Sequence, residues 1–336
     1  MYPLIFRPIL KSKVWGGRAL ERFGKSLPEG EMIGESWEVV DLDTTSAGGG
    51  GGNPERSVVS NGEHAGKTLH ELIEACGSDL MGDLAATETG CFPLLVKYLD
   101  ANDNLSVQVH PSQSYADTHD DAFLKSEAWY IVDAEPGAVI YKGIKEGTSP
   151  DAFRAAIEAN RVENHMIQIP VKAGDCHYLP SGTCHALGAG IVVAEVQTPS
   201  DTTFRVYDWG RTGRQLHVEQ AMACIDFRPT VTDCDLDSVH DHGESRVRGL
   251  VLCEFFRMDE LTLKSGYEGT VSVHQPMVWM VINGSGTLRS GDETHPFKAG
   301  ETILLPACMD ESRVLIDQTA TMVEVRFPQA ESKVIA

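Results

Sequence analysis

With 336 residues, 42% hydrophobic and 23% charged, the chain can bury a substantial core and is long enough for two domains. A net charge of −21 argues against nucleic acid and anionic membrane surfaces as partners. The absence of any run of about 18 apolar residues argues against a membrane-spanning helix. The opening stretch MYPLIFRPILKSKVWGG has an apolar patch but neither a basic n-region nor a small-residue cleavage site. No signal peptide is expected, and the cytoplasm is the default location. Eight cysteines show no CxxC pair or regular framework and read as reduced, mostly buried thiols.

In chain order, the glycine run SAGGGGGN (46–53) cannot pack and is expected as a mobile surface loop. A phosphate loop would need a following helix and a Lys-Ser/Thr pair. GKTLHELIEACGSDLMG (66–82) carries apolar residues at helical spacing. PLLVKYL (93–99), LSVQVH (105–110), AWYIVD (128–133) and GAVIYKGI (137–144) are apolar stretches of strand length between turn signals. SPDAFRAAIEANRV (149–162) predicts a helix with Ser149 as N-cap, Pro150 in the first turn and Asp151 near the positive end of the dipole. GIVVAEVQT (190–198), VWMVING (278–284), GETILLPA (300–307) and TMVEVRF (321–327) complete the strand series. A mainly β protein follows, an antiparallel sandwich or barrel with few helices.

One unit occurs twice. VKAGDCHYLPS (171–181) and FKAGETILLPA (297–307) share K-A-G followed by an acidic residue, then L-P at the same spacing, each after a strand-turn-strand. His185 follows the first copy, and the equivalent place in the second holds Glu311. One copy therefore carries polar chemistry and the other reads as structural.

Strand alternation puts Ser106, Gln108 and His110 on one face and Leu105, Val107 and Val109 on the other. In LKSEAWY the same rule groups Lys125, Glu127 and Trp129. His185 sits in a turn leading into a strand, and Glu195 in the apolar strand that follows. Gln108, His110, Glu127 and His185 offer one amide oxygen, two imidazoles and one carboxylate, without thiolate. Such a set suits a borderline divalent ion such as Zn²⁺. Spacing alone leaves two possibilities open, hydrogen-bonded structural residues or metal ligands, although three polar residues on one strand face are difficult to satisfy in a core.

At these residues the chain resembles the class I mannose-6-phosphate isomerases, or phosphomannose isomerases, in their short bacterial form. The matching segments are VWGGRAL (14–20), IGESWEVVD (33–41), PLLVKYLDANDNLSVQVHP (93–111), KSEAWYIV (125–132), YKGI (141–144), HYLPSGTCHALGAGIVVAEVQTPSDTTFRVYDWGR (177–211) and LHVEQAM (216–222). The resemblance implies two cupin (jelly-roll) lobes with a few short helices: a metal-binding domain over 1–240 with helical insertions, and a C-terminal cupin over 241–336 lacking metal ligands. It implies one Zn²⁺ per chain on Gln108, His110, Glu127 and His185, and interconversion of mannose 6-phosphate and fructose 6-phosphate through an enediol. Catalytic candidates are Lys125, whose pKa is expected to be lowered near zinc, Glu195 and Arg205. Lys97, Ser106 and Arg205 are the expected substrate or phosphate contacts. The expected partner is a small sugar phosphate, with the chain a monomer or homodimer.

Lys97, Lys125, Lys142, Arg205 and Arg211 gather in the matched segments of this acidic chain, as an anionic substrate requires, although Lys142 and Arg211 also fit solvated surface positions. Trp15 and Trp37 read as packing residues. Two other classes compete. An iron-dependent cupin oxygenase would use two His and one carboxylate, and Gln108 fits it less well. A sugar-binding cupin without catalysis would not need Lys125, Glu195 and Arg205 together.

Overall fold

The computed structural model of the chain describes residues 1–46, 52–228, 236, 238–271, 273–291, 293–309 and 312–328. Most of the glycine run and Glu311 lie outside them. Among the described residues no helix is long and apolar enough to cross a membrane.

The chain is mainly β and forms two compact units, one from 8–56 and 92–232, the other from 1–7, 57–91 and 233–336. They interleave in sequence, so a single boundary at 240 does not describe them. Helix α1 (Leu69–Met81), closed at its start by a Thr68/Glu71 capping box, belongs with the C-terminal strands. The reason is local: Asp79 and Leu80 carbonyls at its unsatisfied end accept hydrogen bonds from the Cys308 and Ala307 N–H groups.

The large sheets of the 8–56/92–232 unit use β1 (Ile9–Gly17), β2 (Ile33–Val39), β3 (Leu95–Ala101), β4 (Val107–Val109), β5 (Glu127–Ala134), β6 (Val139–Ile144), β7 (Met166–Pro170), β8 (Cys176–Leu179), β9 (His185–Leu187), β10 (Ile191–Gln197) and β11 (Phe204–Tyr207), with the short helix α2 (Gln113–Ala116) between β4 and β5. One sheet runs β8-β5-β10-β3-β2-β1 and the other β7-β6-β9-β4-β11. Leu99, Trp129, Ile131 and Val193 of the first share a buried cluster with Ile140 and Leu187 of the second, so the sheets face each other as a sandwich.

Val107 and Val109 point out of this sandwich. They pack with Phe153 and Ile157 of α3 (Pro150–Glu158) and Ala221 of α4 (Val218–Cys224), which cover the outer face of the smaller sheet. Leu105, expected beside them, belongs to the inner cluster instead, because regular alternation begins only at Val107. Helix α3 starts as predicted: Ser149 Oγ accepts from the Ala152 N–H at 3.2 Å, with Pro150 opening the first turn. Ser149→Ala should cost about 1 kcal/mol of stability. A lowered thermal midpoint with unchanged kcat is the expected result; an unchanged midpoint would show that the cap contributes nothing.

The other unit contains β12 (Val239–Asp241), β13 (Ser245–Leu252), β14 (Arg257–Leu263), β15 (Glu268–Val271), β16 (Met277–Ser290), β17 (Glu293–Lys298), β18 (Thr302–Leu305) and β19 (Ser312–Arg326). Its register repeats that of the first. Trp129 lies opposite His177 on one side and Glu195 on the other; Trp279 lies opposite Ile303 and Glu324. In each unit the indole N–H donates to the glutamate at 2.9 Å. The chemistry diverges on this shared frame. Glu127, opposite Leu179, is replaced by Met277, opposite Leu305. Lys97, opposite Glu195, is replaced by Asp259, opposite Glu324.

Candidate metal centre and active site

Two cross-strand rows build the site. In the smaller sheet, Arg205 pairs with Gln108, Gln108 with His185 and His185 with Lys142. In the larger sheet the row is Trp37, Lys97, Glu195, Trp129 and His177. Side chains directly opposite share a face, so each row delivers residues distant in sequence to one strip of surface.

His110, Glu127 and His185 converge in the interior, each at most 1% exposed. Their candidate ligand atoms all lie within 4.8 Å of one another. His110 Nε2 is 3.3 Å from Glu127 Oε2, and His185 Nε2 is 3.1 Å from Glu127 Oε1. The Nδ1 atoms of His110 and His185 lie 2.8 Å from the Thr202 and Thr183 carbonyls, which only accept. Nδ1 therefore carries the proton and Nε2 turns its lone pair to the shared centre. Gln108 Nε2 lies 3.4 Å from His185 Nε2; rotating the amide, whose ends are alike in shape, brings Oε1 to that place.

Burial drives the pKa of His110 down to about 3, with the Lys125 ammonium adding to the effect, so this imidazole is neutral. Burial opposes the charge of Glu127, but the Lys125 ammonium beside it outweighs this and holds the carboxyl well below the usual range. His110 Nε2 and both Glu127 oxygens are buried without a well-aligned hydrogen bond. Bare lone pairs of this kind are costly in an interior, and a cation offsets the cost. The residues present fit a divalent ion.

Beside this group opens a cavity of about 370 Å³ lined by Lys97, Ser106, Gln108, Lys125, Glu195 and Arg205, all anticipated from sequence. Lys11, Lys13 and Arg214 also line it, so six cations stand against Glu35, Glu195 and Asp201 in the lining, with Lys11 paired to Glu55, Lys125 to Glu127 and Arg214 to Asp208 just outside it. That balance reverses the sign of the whole chain and suits an anionic ligand. Lys142 and Arg211 are not in the lining. Lys142 is buried, and Arg211 is tied to Asp208 and Asp103. Lys11, Lys13, Glu35 and Arg214 were missed from sequence. The K-S-K-V-W alternation of β1 and the E-S-W of β2 are the signals that could have shown the first three.

Lys125 is buried against Glu127. Burial presses its pKa down, but Glu127, 2.8 Å away, and then Glu195 raise it above the ordinary lysine value. Glu195 is raised, by burial first and Glu127 second, against the pull of Lys97 and Lys125. Its Oε2 accepts from Trp129 Nε1, while Oε1 has no well-aligned partner although Lys97 Nζ is 3.2 Å away. Arg205 is lowered by burial and by Arg214; its Nε donates to Ser106 Oγ at 3.2 Å.

What the fold and the site define is a cupin enzyme with a metal-binding group in one of its two lobes. The family model of the phosphomannose isomerase type I catalytic domain matches residues 4–138. Mannose-6-phosphate isomerase ManA of Bacillus subtilis is 36% identical over 321 residues, covering 93% of this chain and 95% of that protein. A mannose-6-phosphate isomerase of Streptococcus mutans is 36% identical over 313 residues, covering 90% and 92%. The chain belongs to the type I mannose-6-phosphate isomerases. The crystal structure of the mannose 6-phosphate isomerase from Bacillus subtilis superposes with a TM-score of 0.86 at 33% identity, over 97% of this chain and all of that one. A mannose 6-phosphate isomerase crystallised with zinc and yttrium shares the fold, with a TM-score of 0.72 at 15% identity over 97% of this chain and 100% of that one.

Proposed function

We propose that this chain interconverts D-mannose 6-phosphate and D-fructose 6-phosphate through an enediol, with one zinc ion per chain held by Gln108, His110, Glu127 and His185. The observation that carries the metal is the convergence of two buried imidazole nitrogens on one buried carboxylate, with His110 Nε2 and both Glu127 oxygens lacking a well-aligned hydrogen bond and no thiolate among them. When bound, zinc supplies Lewis-acid polarisation of the sugar's oxygens. A mannose 6-phosphate isomerase of the same fold has been crystallised with zinc, alongside yttrium.

Isomerisation moves a proton between C1 and C2, so the site needs a group that takes and returns it and charge that stabilises the enediolate. Glu195 takes the proton. Its buried carboxyl has a raised pKa, and its Oε1, 3.2 Å from Lys97 Nζ, accepts no well-aligned hydrogen bond. Lys125, kept charged by its carboxylate neighbours, and Arg205 stabilise the developing oxyanion. Lys97, Ser106 and Arg205 contact the substrate, and the excess of cations in the lining receives its phosphate. All four ligands come from residues 108–185, and Met277 replaces Glu127 in the repeated frame. Both support a metal-binding cupin followed by one without ligands. A cytoplasmic monomer or homodimer is the proposed setting.

The test is a coupled assay for fructose 6-phosphate formed from mannose 6-phosphate. Chelation should remove turnover, and about one equivalent of zinc per chain should restore it. No turnover after zinc is restored rejects the proposal. Stoichiometric iron with oxygen-dependent turnover would replace it with the oxygenase alternative.

A further inference from the structure

We propose that Glu35 is a positioning residue for proton transfer: it shares the Lys97 ammonium with Glu195 and so keeps Glu195 Oε1 uncommitted. This rests on Glu195 being the proton-transferring group.

Glu35 lies on β2, two residues before Trp37 and on the same face. Its Oε2 accepts from Trp37 Nε1 at 2.6 Å and lies 4.0 Å from Lys97 Nζ, while Oε1 is 3.0 Å from Lys13 Nζ. Lys97 Nζ in turn lies 3.2 Å from Glu195 Oε1 and 4.9 Å from the centre of the Trp37 ring. The ammonium is thus held among two carboxylates and an aromatic face, an arrangement of cation–π and ionic attraction. Despite the 3.2 Å separation, Glu195 Oε1 accepts no well-aligned hydrogen bond. The lysine is near enough to compensate charge and is not directed onto the oxygen that must take the substrate proton.

The charge on Glu35 is constant at working pH. Burial works against it, but Lys13, Lys97 and the Trp37 N–H bring its pKa to about 2. A fixed carboxylate in the lining of a cavity for an anionic sugar opposes binding by its own charge. Its placement is explained by what it does to Lys97. Without that charge, the remaining carboxylate in reach of Lys97 is Glu195. Lys97 would close onto Oε1 in a charge-assisted hydrogen bond and compete with the substrate proton.

Glu35→Gln keeps the side-chain size and an acceptor for Trp37 Nε1 but removes the charge. Expected is a loss of about tenfold or more in kcat, with KM for mannose 6-phosphate within about threefold of wild type and zinc content unchanged. Glu35→Asp, which keeps the charge one methylene further back, should fall between the two. In a Lys97→Met background, either Glu35 change should have little further effect, the non-additivity expected of residues acting through one another. Wild-type kcat in Glu35→Gln, an Asp variant as impaired as Gln, or equal losses with and without Lys97 would each overturn the proposal. If Glu35→Gln does not fold, the Asp variant in the two backgrounds carries the same test. Glu195→Gln separates the premise: full kcat there removes the assigned role of Glu195, whereas a dead Glu195→Gln beside a normal Glu35→Gln refutes only the role of Glu35.

Discussion

His110→Ala is expected to purify without zinc and to lose about 10³-fold or more of kcat/KM, the size expected when several kcal/mol of charge stabilisation disappear. The imidazole is fixed from behind by the Thr202 carbonyl, so its Nε2 has one direction to point, toward Glu127 and His185. The fold should survive, because Glu127 keeps its ion pair with Lys125 and the outer-face anchors Val107 and Val109 are untouched. Metal analysis and the coupled assay on the same preparation check this. Full zinc content in the variant would refute the ligand assignment.

Glu195→Gln is expected to keep its zinc and to lose about 10² to 10⁴ in kcat, the usual contribution of a positioned acid–base group. The amide oxygen can still accept from Trp129 Nε1, and Lys97 keeps Glu35 and the Trp37 ring, so the packing around the substitution is retained. The pH profile gives a second readout. A base must be deprotonated to act, and burial raises the Glu195 carboxyl above the ordinary glutamate value. In wild type, activity should therefore fall with acid at a pH higher than about 4.3, the ordinary value, and the variant should lose that limb. A variant that keeps both kcat and the acid limb would assign the proton to another group.

Much of this was legible because it is local. The Ser149 cap and Pro150 start α3 where they stand, since capping needs only the next few residues. Gln108 turns away from Val107 and Val109, as alternation within one short strand requires. Where local order ended, so did the reading. Leu105 precedes the regular strand and packs inside. Among the basic residues, Lys142 and Arg211 lie outside the cavity, and Lys11, Lys13 and Arg214 line it.

The sequence by itself determined the class of fold and the family, because these rest on periodicity and contiguous motifs. The tertiary structure decided which side chains meet. Strand register sets Arg205 beside Gln108 and His185 in one sheet, and Trp37, Lys97, Glu195 and Trp129 in a row across the other. Glu35 joined the site by the same means. Register is fixed by packing across the sandwich, between segments some hundred residues apart, and no local stretch of sequence encodes it.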